Sequence, residues 1–215
     1  MARILITRPN SDRTTRYISE WAGKVVKFAE SKGFGVLDLA GERANRAEFE
    51  SMLRKHRPSF IFLNGHGSDM FVTGQNEEVL VEAGVNETVL RASIIYALSC
   101  SSGAVLGPRA ITSGARAFIG YRKKFIFLFS PSLRTQPLTD PLAKYFFEPS
   151  NQVAVSLLKG HSAQTAYNNS QRSFQRNIQK LIIGQASAYE SAAIRFLYSN
   201  MRCQVSFGDG AATVR

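Results

Sequence analysis

Two short stretches hold residues that could do chemistry together. Phe60-Ile61-Phe62-Leu63 runs into Asn64-Gly65-His66-Gly67, and Ala97-Leu98-Ser99 runs into Cys100, 34 residues later (66 to 100). The chain has three histidines and two cysteines in 215 residues, so both positions need an account. An imidazole beside a thiol can hold it deprotonated or take its proton, and the thiolate then attacks a carbonyl carbon. Gly67 can bring backbone close to a substrate with its N–H aimed at a developing oxyanion. The Cys100 N–H is a second such donor. A helical stretch begins soon after Cys100, and its dipole is expected to favour the thiolate. Taken singly, Cys100 reads as a small core residue and His66 as the cap of a turn. On successive strands of one sheet, they read as a dyad. The remaining candidates are weaker. His56 lies in the basic end of a helix and His161 in a turn after Leu157-Leu158-Lys159-Gly160, both expected in solvent. Cys203 opens the last strand and is expected to pack. No second His or Cys sits at ligand spacing from His66 or Cys100, so no metal site is expected.

The dyad requires a scaffold that brings the two exits together. Apolar runs at 2–8, 35–40, 59–65, 92–100 and 115–121 read as strands. Between them, Tyr17, Ile18, Trp21, Val25, Phe28 and Ala29 recur at spacings of three and four, which marks one face of a helix over 13–32. Asn45 is a candidate N-cap for a second helix over 45–57, stopped by Pro58. A short helix is expected within 103–114. The last third is expected to be helical over about 140–160 and 162–200, with a final strand at 203–209. Near-continuous apolar strands alternating with helices imply an α/β fold with a parallel sheet covered on both faces. Sites in such sheets form at the carboxyl ends of strands. His66 and Cys100 both fall there, about 5 Å apart laterally if their strands are neighbours. No repeat, low-complexity tract or linker interrupts the chain, so 1–215 is expected to be one domain.

Composition narrows the class. The chain is 44% hydrophobic and 20% charged, ordinary for a folded domain. No apolar run reaches the ~18 residues of a membrane span. Arg3 and Arg8 break any secretory leader, and two cysteines make no disulfide framework, so a reducing, cytoplasmic setting is the expectation. The net charge of +11 would attract polyanions. Its 27 Lys and Arg are dispersed, the densest cluster being Arg122-Lys123-Lys124, with no zinc-finger or RNA-recognition signature. Specific nucleic-acid binding is therefore not expected.

In this order, strand–"NGHG", strand–"ALSCSSG" and "GARAFIGY" resemble the caspase-like cysteine peptidases of clan CD. That group includes caspases, metacaspases, gingipains, clostripain, separases and bacterial CHAT peptidases. "GHGS" and "CSSG" are similar to metacaspases and separases, and "SGARAFIGY" to the "GA-x-A-x-I-G" strand of gingipain-like and CHAT proteins. "VSFGDGAATV" resembles their late "GDP" segment, with Gly210 where proline is usual. The likeness covers roughly 60–120, with a weaker echo at 203–214. It implies a three-layer caspase-like fold with a mainly parallel six-stranded sheet. It implies a cysteine endopeptidase working through an acyl-enzyme on Cys100. His66 would be general base and acid, and the N–H groups of Gly67 and Cys100 the oxyanion hole. It implies no cofactor, a protein or peptide substrate and a possible regulatory protein partner, in a bacterial regulatory or defence pathway. A caspase-like module that binds without cleaving is the alternative, because one fold hosts many functions.

The resemblance also places the specificity pocket at the ends of the first strand, the cysteine strand and the next one. Arg8 and Arg122 stand at two of those ends and would hold a P1 carboxylate by bidentate, charge-assisted hydrogen bonds. An acidic or small polar P1 is expected. Asp69, or Asp12, would be the pocket acid if the preference were basic. The proline-bearing stretch 128–143 is either a surface connector or a groove wall open to processing.

Overall fold

The computed structural model describes residues 2–184 and 187–214. Strands β1 (Arg3–Arg8), β2 (Gly35–Ala40) and β3 (Phe60–Asn64) are joined by helices α1 (Arg13–Ser31) and α2 (Arg46–His56). A two-stranded hairpin, β4 (Phe71–Thr73) and β5 (Val79–Glu82), follows. Then come β6 (Ile94–Leu98), α3 (Leu106–Thr112), β7 (Ala117–Tyr121), α4 (Pro141–Leu158), α5 (Ala163–Ile183), α6 (Ala188–Cys203) and β8 (Gln204–Gly208). The main sheet has six strands in the order β2-β1-β3-β6-β7-β8, all parallel except β8, which runs antiparallel to β7 at the edge.

Alternation along each strand builds two cores. Ile4, Ile6, Phe60, Phe62, Ile94, Tyr96, Ala117 and Ile119 face α1, α4 and α5. Leu5, Ile61, Leu63, Ile95, Ala97 and Phe118 face α2, α3 and the hairpin. Both faces are covered, which is why the strands read as unbroken apolar runs. Each fully buried Leu, Ile or Phe contributes about 1.5–3 kcal/mol of burial free energy. Asn45 does cap α2, accepting from the Glu48 N–H at 2.9 Å.

Several expectations need adjusting. The segment between β3 and β6 holds the β4–β5 hairpin, whose strands of three and four residues, bulged between Val72 and Thr73, are too short for an alternating pattern to show. The helical span expected over 162–200 is two helices, and residues 185 and 186 of it lie outside the described residues. Cys203 is the buried last residue of α6 and not the first of β8. His56 is not simply solvated, since Arg3 Nη1 lies 2.8 Å from its Nδ1. The stretch 128–143 is pinned: the Trp21 indole donates to the Pro137 carbonyl at 3.0 Å and the Tyr17 hydroxyl to the Leu133 carbonyl at 3.2 Å. Buried Asp140 caps α4 and accepts from the Ser130 N–H at 2.8 Å and the Tyr17 hydroxyl at 3.1 Å.

Candidate active site

The sheet order sets the site. The chain leaves β1 toward β2 on one side and returns to place β3 on the other, so β1 and β3 are neighbours where the winding reverses. β6 then pairs with β3, with Asn64 opposite Leu98. Exits from these three adjacent strands carry Asp12, His66 and Cys100, at the edge where open α/β sheets place ligands.

Asn64 locks the first two exits together. Its backbone N–H donates to the Thr7 hydroxyl at 2.8 Å, and its side-chain amide donates to the Thr7 carbonyl at 2.8 Å. Both residues are fully buried. Two residues later the chain presents His66, and the glycines around it have a steric reason. β4 doubles back over this turn, with the Thr73 N–H donating to the His66 carbonyl at 2.9 Å and the Ser68 N–H to Phe71 at 3.0 Å. Gly65 has φ +152°, and a Cβ there would lie 2.0 Å from the Thr73 carbonyl oxygen. A Cβ on Gly67 would lie 2.8 Å from the Phe71 oxygen and 3.1 Å from the Cys100 oxygen. The histidine turn is thus packed directly on the backbone that carries the thiol.

The imidazole is held from the far side. His66 Nε2–H donates to Asp12 Oδ2 at 2.5 Å, which leaves Nδ1 as the ring nitrogen not bound to Asp12. Asp12 is fixed in turn, because it is the N-cap of α1. Its Oδ1 accepts from the Thr15 N–H at 2.8 Å, and its own N–H donates to the Thr15 hydroxyl at 3.0 Å. Burial alone would raise the Asp12 pKa. The Thr15 N–H and the His66 ring outweigh that and hold it below the usual carboxylate value.

Cys100 lies two residues beyond β6 and is partly buried. Ser101 follows it with φ +59°, a left-handed conformation unusual for a non-glycine residue and common beside functional groups. The Ser101 N–H is bonded to the Lys123 carbonyl at 3.0 Å, and the Ser99 hydroxyl donates to the Ser102 hydroxyl at 2.8 Å. These bonds fix the turn. The thiol points to the Phe125 carbonyl at 3.8 Å. No thiol–imidazole hydrogen bond forms among the described residues. Burial pushes the Cys100 pKa up, and neither the Phe125 backbone interaction nor the Lys124 charge offsets it. α3 starts at Leu106, six residues on, and Ser101–Val105 forms the turn between. Among the described residues neither the Gly67 N–H nor the Cys100 N–H donates to a protein acceptor.

The specificity candidates separate. Arg8 is committed, its Nε and Nη2 donating to the two Asp38 oxygens at 2.8 and 2.6 Å. The Asp38 bond, with its charge, raises the Arg8 pKa despite burial. Arg122, Lys123 and Lys124 are exposed and without an acidic partner among the described residues. Asp69 is exposed, and its carbonyl takes the Leu106 N–H at 2.8 Å. Asp12 is occupied by His66. From the sequence alone Asp12 is only a possible pocket acid. Its real partner is 54 residues away, and the available signal, an Asp three residues before Thr15, speaks only for a helix cap. No group of three or more metal-ligating side chains forms among the described residues.

The fold and this edge define a caspase-like α/β architecture. The complex of Porphyromonas gingivalis RgpB pro- and mature domains is similar to this chain with a TM-score of 0.63 at 11% identity, over 100% of this chain and 48% of that one. The chain thus spans about half the length of that solved chain. At this identity the likeness establishes the caspase-like fold alone. No protein-family model and no curated protein matches the sequence. No helix among the described residues is long and apolar enough to cross a membrane.

Proposed function

We propose that this protein is a cysteine peptidase that cleaves peptide bonds through an acyl-enzyme on Cys100. The observation that carries this reading is the packing of the Gly65-His66-Gly67 turn on the Cys100 backbone while Asp12 holds the far side of the imidazole. In this reading His66 Nδ1 takes the thiol proton as sulfur attacks the carbonyl carbon. The Gly67 and Cys100 N–H groups stabilise the oxyanion. The imidazolium then protonates the leaving amine, and a water hydrolyses the thioester with His66 again as base. Asp12 is a positioning residue: it fixes the ring orientation and offsets the imidazolium charge. No cofactor enters the scheme.

The substrate chain has a place to lie. Residues 125–130 leave the Cys100 edge without helix or strand structure, anchored by the Asn200 amide on the Ile126 N–H and carbonyl at 3.0 and 2.7 Å. The backbone groups of Phe127, Leu128 and Phe129 make no hydrogen bond within the described residues, so an extended peptide can pair with them. With Arg8 held by Asp38, the cations left for a P1 side chain are Arg122, Lys123 and Lys124, which favours an acidic or small polar P1. A basic P1 would depend on Asp69 alone.

One observation favours the second reading, a caspase-like module that binds peptide without cleaving it. The thiol turns to the Phe125 carbonyl, and burial pushes its pKa up. In the peptidase reading this is the resting form, and bound substrate rotates sulfur toward His66. A mixed peptide library read by mass spectrometry decides between them. The peptidase reading requires cleavage by the wild type and none by Cys100→Ala. Binding without cleavage by both selects the module.

A further inference from the structure

A groove of about 730 Å³ lies at the opposite end of the sheet from Cys100, about twice the volume of the cavities beside α6 and among α1, α4 and α5 (310 to 360 Å³). It sits at the amino ends of β3 and β6, between the last turn of α2 and the segment preceding β6. Five-residue strands put it roughly 17 Å from the His66–Cys100 edge. Leu53, Pro58, Val89 and Ala92 supply an apolar surface, and Arg54, Arg57 and Arg91 supply three guanidinium groups.

We propose that this groove binds a small phosphate ester bearing an apolar group. Charge comes first. Arg57 and Arg91 are exposed and have no acidic partner among the described residues. The neighbouring acids are already used. Glu50 accepts from Arg46 at 2.9 Å, Arg54 at 3.2 Å and Asn86 at 3.0 Å. Glu87 accepts from the Gly84 N–H at 2.8 Å and the Ser113 hydroxyl at 3.5 Å. The carbonyl end of α2 carries about half a negative charge, which the two unpaired guanidinium groups of Arg57 and Arg91 outweigh, Arg54 being paired with Glu50. Planar guanidinium forks match phosphate oxygens, and Arg is the residue suited to that geometry. Shape comes second. A groove within the ~300–1,000 Å³ range of ligand sites has room for more than an inorganic ion, and its apolar floor would be left wet by one. Placement comes third. Arg57 and Ala92 hold left-handed backbones, with φ of +44° and +62°, on opposite walls of the groove. The Ser93 hydroxyl donates to the Pro58 carbonyl at 2.6 Å and ties the two walls together.

Calorimetric titration at low salt tests this without reference to peptidase activity. Phenyl phosphate is expected to bind, inorganic phosphate about tenfold more weakly or worse, and phenol not measurably. Arg57→Asn, which tolerates the left-handed backbone, and Arg91→Gln should each weaken phenyl phosphate about tenfold. Lys27→Ala, an exposed cation on α1 across the sheet, should leave it unchanged. Melting temperatures confirm that the variants are folded, and either arginine variant alone suffices if the other fails. The proposal is overturned if phenyl phosphate does not bind, or if its binding survives both arginine substitutions. Equal weakening by Lys27→Ala would mean diffuse charge attraction only. Much tighter binding of a phosphotyrosine peptide than of phenyl phosphate would reassign the groove to a phosphorylated protein and overturn it as well.

Discussion

Replacing Asp12 by asparagine separates two roles that one carboxylate performs. As N-cap of α1 it accepts from Thr15, and asparagine caps about as well as aspartate. As partner of His66 it offers a charge that asparagine lacks. A hydrogen bond to a charged group contributes about 1.5–3 kcal/mol when sheltered. Here the His66 and Asp12 side chains are 36% and 41% exposed, so solvent screening leaves about 1–1.5 kcal/mol. Each 1.36 kcal/mol is a factor of ten in rate. Asp12→Asn should therefore lower kcat about tenfold, with KM unchanged and Tm within about 2 °C of wild type. Asp12→Ala should match it in kcat and lose about 1 kcal/mol more through the lost cap, or roughly 2–4 °C in Tm. Steady-state kinetics on a cleavable peptide and thermal unfolding of the three proteins give the answer. Full kcat in Asp12→Asn would refute the positioning role and leave Asp12 as a helix cap only.

Other consequences follow from the same geometry. His66→Ala should abolish cleavage while keeping the circular dichroism of the wild type, because the ring stands at a strand exit and not in a core; residual turnover within tenfold of wild type would exclude it as the base. Gly65→Ala should cost about 3 kcal/mol, roughly 6–12 °C in Tm, since its Cβ would meet the Thr73 oxygen at 2.0 Å, and an unchanged melting curve would contradict the packing of β4 over the histidine turn. Burial disfavours the Cys100 thiolate, so alkylation by iodoacetamide in the absence of substrate should be slow at neutral pH and rise through a midpoint above the ordinary thiol value. A midpoint below that value would show an activated resting thiolate. In a fluorogenic panel varying only P1, acidic or small polar residues should lead, Arg122→Ala should reduce the acidic preference, and Arg8→Ala should lower stability without changing the ranking. Preferred turnover after Arg or Lys would point to Asp69.

The fold was legible because a parallel sheet buried on both faces writes itself as apolar runs. The strand expected at 35–40 is β2 residue for residue, and those at 59–65 and 115–121 overrun β3 and β7 by one or two residues at an end. The antiparallel direction of β8 was not legible, since an edge strand of five residues carries no mark of its partner's direction. The β4–β5 hairpin escaped for want of length. At the site, His66 and Cys100 could be singled out because their strands end visibly. The His66–Asp12 and Arg8–Asp38 bonds span 54 and 30 residues, and only the sheet order brings their members together. The glycines flanking His66 were visible, but their main reason, the return of β4 over the turn, was not.

Peptide cleavage by this protein requires a covalent acyl-enzyme on Cys100. Rapid acid quenching of the protein with a peptide ester, followed by mass mapping of its own digest, tests that directly. An acyl mass should appear on the peptide containing Cys100, decay with turnover and be absent in Cys100→Ala. Product formation with no adduct on that peptide, or with an adduct on Cys203, would contradict it.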